Sequence, residues 1–272
     1  MSRLDVARAL ALVEEAVARG RDAASAVVVA APDVGLVGRR LVWDGKRHHG
    51  TLDDPLKDAS ARRLLEDGAA GAGCHEIAGG IELYLERWSP RPELLIVGAG
   101  HIARPLAAIG RLLDFRVVVL DDRAELVTAA RFPGAEVRVV DFADPFADIE
   151  IGPRTSLVLV TRGHRYDYDC LLALARAGAQ PSYIGMIGSR RRVRAAFEQL
   201  AGEGIDASWL ARIHAPLGLD LGAETPAEIA VAVAGEIVLG ARGGSGRPLS
   251  ERADVLRHVR ALGVMGASQG ET

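Results

Sequence analysis

The chain has 272 residues, 49% of them hydrophobic and 25% charged, with a formal net charge of −3. That length exceeds what one small core needs and predicts two domains; the weak charge offers no basic field to nucleic acid, and no stretch is apolar enough to span a bilayer. Two cysteines, Cys74 and Cys170, exclude a disulfide framework or a four-thiolate zinc site and read as reduced thiols.

Leu4, Ala7, Leu10, Val13 and Val17 recur at helical spacing, which predicts an amphipathic helix near residues 3–19, stopped at Gly20. A chain that opens in this way, from Met1-Ser2-Arg3, carries no signal peptide, so a cytoplasmic protein is expected. Residues 26–31 read as a buried strand, and 36–42 with 47–52 as a hairpin across Asp44-Gly45, a pair that favours positive φ. His48 and His49 fall in its second arm, where successive side chains take opposite faces and do not share a metal. Asp54 caps a helix begun by Pro55 and closed at Gly68. Residues 81–88 alternate apolar and polar as an outer strand does. Residues 1–88 are thus a small α+β domain, followed by a stiff linker over 89–92, Ser89-Pro90-Arg91-Pro92.

From residue 93 to 243 the pattern changes. Strands are predicted near 94–98, 116–121, 136–140, 156–161 and 182–187, with helices near 101–113, 123–131, 168–177 and 189–203. Such alternation means an α/β domain with a parallel sheet covered on both faces. A last helix near 226–239 has a full start signal in Thr225, Pro226 and Glu228. Residues 244–272 are read as a C-terminal helix over 249–262 and a tail.

The chemistry concentrates at the strand ends of this second domain. The first strand leads into Gly98-Ala99-Gly100-His101-Ile102-Ala103, and the second ends on Asp121-Asp122. Gly98 permits the tight turn, Gly100 lets the backbone approach a pyrophosphate, and Ala103 lets the helix pack closely on the sheet. The helix N-terminus supplies N–H donors and a positive dipole end. This is the Rossmann arrangement for NAD(H), with residues 98–102 at the pyrophosphate and Asp121 accepting from the adenosine ribose. Asp121 and Asp122 together would repel a 2′-phosphate, which favours NAD, although Arg123 leaves room for NADP. His101 stands close to the phosphate position. Thr161-Arg162-Gly163-His164 follows another strand at the same edge, and His164 with Asp167 is a candidate acid–base pair. In the second glycine cluster, Tyr183-Ile184-Gly185-Met186-Ile187-Gly188-Ser189-Arg190, Gly185 and Gly188 are expected to let a ligand come close. Ser189 is an N-cap candidate, and residues 190–192 place three arginines against the helix dipole. That conflict suggests an anion site at the cleft, the competing readings being a solvated face or pairing with the acidic loop Asp141–Asp148.

At these stretches the chain resembles the XdhC/CoxI family, accessory proteins of molybdenum hydroxylases. The resemblance rests on Val97-Gly98-Ala99-Gly100-His101, on Leu120-Asp121-Asp122-Arg123 followed by Arg131-Phe132-Pro133, and on residues 183–190. It continues through Ala215-Pro216-Leu217-Gly218-Leu219-Asp220-Leu221-Gly222-Ala223 and Thr225-Pro226-Ala227-Glu228-Ile229-Ala230. It implies an accessory factor that binds molybdenum cofactor, helps to sulfurate it and delivers it to an apo-hydroxylase, with a cysteine desulfurase as a further partner and a homodimeric state. The first domain departs from the family pattern: the turn Gly50-Thr51-Leu52-Asp53-Asp54-Pro55 carries no cysteine. Cys74, ahead of Gly79-Gly80, is the candidate thiol for molybdenum cofactor, the competing reading being a buried structural cysteine. An NAD(P)-dependent oxidoreductase acting on a small molecule is the alternative function, since hydride transfer requires no thiol.

Overall fold

The computed structural model describes residues 3–251, which form two compact units, one ending at Pro90 and one beginning at Arg91.

The first unit starts with α1 (Val6–Ala18), capped by Asp5, whose carboxylate accepts from the Arg8 N–H at 2.7 Å. Strands β1 (Ala23–Ala30), β2 (Arg40–Trp43), β3 (His48–His49), β4 (Gly73–Ile77) and β5 (Ile81–Trp88) make one antiparallel sheet in the order β3-β2-β1-β5-β4. Between β3 and β4 runs α2 (Pro55–Glu66), where Asp54 accepts from the Leu56 and Lys57 N–H groups. Strand periodicity divides the apolar side chains between two layers. Ala24, Ala26 and Val28 of β1 pack with Ala61 and Leu65 of α2, while Ala23 and Val42 pack with Leu12, Val13 and Ala16 of α1.

One expectation needs correction here, and one strand was not expected. β5 is an inner strand, paired with both β1 and β4; its alternation arises because one face is covered and the other is open. β4, beside it, is too polar to be read as a strand, since Cys74, His75 and Glu76 occupy its middle.

The second unit holds β6 (Glu93–Val97), α3 (Ala103–Leu112), β7 (Arg116–Asp121), β8 (Glu136–Val139), β9 (Thr155–Leu159), α4 (His164–Arg176), β10 (Tyr183–Met186), α5 (Arg190–Gly202), the short α6 (Ala207–Leu210), β11 (Ile213–His214) and α7 (Pro226–Arg242). Its six strands are all parallel, in the order β11-β10-β9-β6-β7-β8. The chain winds outward from β6 to β8, returns, and winds outward again from β9 to β11, which is the doubly wound Rossmann order. On one face Leu106 of α3 and Val233 of α7 pack on Ile96 and Val119; on the other Leu171 of α4 and Leu200 of α5 pack on Val97 and Leu120. The capping box of α7 is formed, and Gly243 ends that helix in the left-handed conformation at φ 70°.

The helix predicted over 123–131 is a series of tight turns instead. Val127 and Phe132 are its buried anchors, five residues apart, a spacing that does not repeat one helical face. α4 begins at His164, earlier than the predicted residue 168, and β11 and α6 are too short to leave a periodic signal. Leu249–Glu251 is a 3₁₀ turn, and the remainder of the helix expected over 249–262 lies outside the described residues. Among the described residues no helix is long and apolar enough to cross a membrane.

Candidate functional site

Between β6 and β9 the strand order reverses, and a doubly wound sheet opens a ligand crevice there, beyond the carboxyl ends of its strands. Leaving β6, the chain turns at Gly98 with φ 109°, and a Cβ on this residue would lie 2.5 Å from the Val160 carbonyl oxygen. Only glycine fits so close to the neighbouring strand end. At Gly100 the reverse holds, for a Cβ there would meet nothing within 4 Å. Space above this backbone is therefore open to a ligand. α3 begins immediately after, with Ile102 in the cap position and no side chain bonded to its first turn, so its N-terminal N–H groups are free to face an anion. Buried Ala103 seats the helix on the sheet.

Asp121, at the end of β7, is 2% exposed. Its Oδ2 accepts from the Ala99 N–H at 2.7 Å and from Arg123 Nη2 at 2.8 Å; its Oδ1 accepts from the Arg123 N–H at 3.1 Å and Arg123 Nε at 2.8 Å. A carboxylate has about four acceptor positions, and all are taken. Burial alone would raise its pKa, but these donors outweigh burial and hold it below the usual carboxylate range. Asp121 thus ties the glycine turn to the end of β7, where the sequence suggested a carboxylate open to a ribose. Asp122 is also engaged: Arg162 grips it bidentately at 2.6 and 2.7 Å and lies 4.5 Å over the ring of Tyr166. Arg131 reaches back to the Ala99 carbonyl at 3.2 Å. A cavity of about 370 Å³ opens among Gly100, His101, Arg123, Arg131, Thr161 and Arg162.

His164 and Asp167 do not form the expected dyad. Asp167 is fully buried, with Oδ1 accepting from the Thr161 hydroxyl at 2.5 Å and Oδ2 from the Arg192 guanidinium. Burial pushes its carboxyl up, against the pull of Thr161 and Arg192. His164 instead lines a second cavity of about 420 Å³ with Tyr168, Ser189 and Arg191. Ser189 caps α5 as expected, accepting from the Arg192 N–H at 3.3 Å. Of the three arginines, Arg192 turns inward to Asp167, whereas Arg190 and Arg191 are exposed.

The second glycine cluster serves packing. A Cβ on Gly185 would strike the Tyr183 ring at 2.6 Å, and one on Gly188 would meet the Arg192 side chain at 3.2 Å. Gly185 makes room for Tyr183, whose hydroxyl donates to Glu236 on α7. Glu236 also accepts from the Gly218 N–H at 2.8 Å and lies 3.2 Å from His214 Nδ1. This Tyr183–Glu236–His214 cluster joins residues far apart in the chain, and no spacing announced it.

In the first unit, Cys74 is exposed on β4. Glu82 on β5 pushes its thiol pKa up. It is not the buried structural residue of the competing reading, and it is not a ready thiolate either. The turn from Gly50 is built around buried Asp58, which accepts from the Leu52 N–H at 2.6 Å and the Thr51 hydroxyl at 2.7 Å. His49 bonds Asp44 at 2.8 Å, while His48 Nε2 lies 3.4 Å from Glu66 without a hydrogen bond. Among the described residues no group of three or more His, Cys, Asp or Glu could hold a metal ion.

The chain is 31% identical over 179 residues to the uncharacterized protein YqeB of Escherichia coli K12, an alignment covering 65% of this chain and 32% of that one. It is 31% identical over 157 residues to a Bacillus subtilis 168 protein described as a probable subunit of xanthine dehydrogenase, covering 57% and 45%. It thus spans less than half the length of these curated relatives. The crystal structure of a xanthine dehydrogenase from Bacillus halodurans superposes with a TM-score of 0.65 over 90% of this chain and 66% of that one, at 20% identity, which is a likeness of fold. The family model of the XdhC Rossmann domain matches residues 94–237, from the strand before the glycine turn into α7. By that match, which takes in the whole crevice just described, the chain belongs to the XdhC family.

Proposed function

We propose that the protein is an accessory factor in the maturation of a xanthine dehydrogenase-type molybdenum hydroxylase, and that its Rossmann unit binds a nicotinamide dinucleotide, NAD(H) or its 2′-phosphorylated form. The observation that carries the nucleotide half is the open space over Gly100 between an uncapped helix N-terminus and a guanidinium-lined cavity. Phosphates are held in such a place by backbone N–H groups and dipole together. The accessory half is supported by family membership and by the name of the Bacillus subtilis relative. On this reading the partner is the apo-hydroxylase, with a cysteine desulfurase as the source of sulfur and the cytoplasm as the working compartment. Molybdenum cofactor delivery belongs to the same reading, but no step is assigned to Cys74, whose thiol pKa Glu82 pushes up rather than down.

The test is co-expression of a molybdenum hydroxylase with and without this protein, alongside a screen for NADH turnover. The accessory reading expects several-fold higher hydroxylase activity and molybdenum content, with no NADH consumption by the protein alone. NADH consumption with a small carbonyl or imine, and no effect on the hydroxylase, would replace it with the oxidoreductase reading.

A further inference from the structure

The cavity over the glycine turn carries a charge pattern that sequence alone does not disclose. Arg123, Arg131 and Arg162 line it, and two carboxylates outside the lining, Asp121 and Asp122, bind the first and the last of them. Asp121 is saturated by Arg123 and the Ala99 N–H, and Asp122 is gripped by Arg162. Each acid is thereby neutralised by an arginine, and Asp121 has no acceptor position left for a ribose diol. The third guanidinium, Arg131, has no carboxylate partner among the described residues. Its hydrogen bond goes to the Ala99 carbonyl, and its Nε is buried without a hydrogen-bond partner. The guanidinium is half-buried and its outer nitrogens line the cavity, so a charge without a counter-ion stands where an anion can reach it.

We propose that this pocket receives the 2′-phosphate of NADP(H), with Arg131 as its anchor and Arg123 and Arg162 flanking it. This rests on the dinucleotide reading given above. The pocket adjoins the end of β7, where a Rossmann fold puts the adenosine ribose, and an arginine nearby is what accommodates a 2′-phosphate. The pyrophosphate has its own place at the N-terminus of α3. Planar guanidinium groups match a phosphomonoester bidentately, and the two acids that would have repelled it are already paired.

The experiment is titration calorimetry of the full chain in phosphate-free buffer with NADP⁺ and NAD⁺, and with 2′,5′-ADP and 5′-AMP as fragments. NADP⁺ is expected to bind at least about tenfold more tightly than NAD⁺, and 2′,5′-ADP more tightly than 5′-AMP, as the gain of a charged hydrogen bond implies. Arg131→Gln should remove that advantage, read as the ratio of the two affinities in one variant, so that any general loosening of the glycine turn cancels. Equal or tighter binding of NAD⁺ by the parent, a comparison that needs no variant, overturns the 2′-phosphate assignment and leaves the dinucleotide reading standing. An unchanged ratio in a folded Arg131→Gln protein also overturns it, because Arg131 then does not read the 2′-phosphate. If neither dinucleotide binds, the dinucleotide reading itself fails, and the 2′-phosphate assignment with it.

Discussion

Two glycines two positions apart do opposite work. Gly98 is crowded and at φ 109°, while Gly100 faces open space. Gly98→Ala should therefore destabilise the protein by about 2 kcal/mol or more, from backbone strain and the encounter with Val160, read as a lower urea midpoint. Gly100→Asp should leave that midpoint near the parent value and abolish dinucleotide binding in calorimetry, because it adds a carboxylate where phosphates belong. Sequence conveys both roles through the fingerprint spacing. It does not convey the fate of Asp121, since a carboxylate facing a ribose and one facing its own backbone are the same letter. A second residue-scale expectation concerns Asp44. Burial alone would raise its carboxyl, but His49 and the backbone N–H groups of Arg47 and Lys46 hold it down at about 2. A folded-state pKa below the ordinary value means stability that is present above about pH 4 and lost as pH falls toward 2. The difference in unfolding free energy between parent and Asp44→Asn should accordingly shrink between pH 4 and pH 2, measured by chemical denaturation at each pH.

At the scale of elements, legibility tracks the strength of local signals. α2 and α7 are readable because their starts are written in caps and prolines, and Thr225→Ala should cost about 1 kcal/mol in thermal unfolding with α7 otherwise retained. β4 is not readable, because its pairing with β5 is what makes it a strand, and nothing in Cys74-His75-Glu76 favours one. The turns after β7 mimic a helix in sequence, but Asp121 and Arg131 draw that segment back to the glycine turn through side-chain bonds. Gly185 has the look of a ligand position when its neighbour two residues earlier needs the room. Gly185→Ala should lower the melting temperature by displacing Tyr183 from Glu236, and should leave dinucleotide affinity unchanged. Loss of affinity with an unaltered melting temperature would return Gly185 to the ligand site.

At the scale of the whole molecule, the alternation of strands and helices from residue 93 onward suffices to give a parallel sheet, whereas strand order cannot be read from periodicity. That order has a consequence for how the protein is made. β6 bonds β7 on one side, within some twenty residues of sequence, but its other edge waits for β9, which begins at Thr155. Until that strand has left the ribosome, the N–H and C=O groups along Leu94, Leu95 and Ile96 form an open edge flanked by wholly apolar side chains. Nascent chains arrested before β9 has emerged should be the aggregation-prone species, read as a larger insoluble fraction than for chains arrested after it.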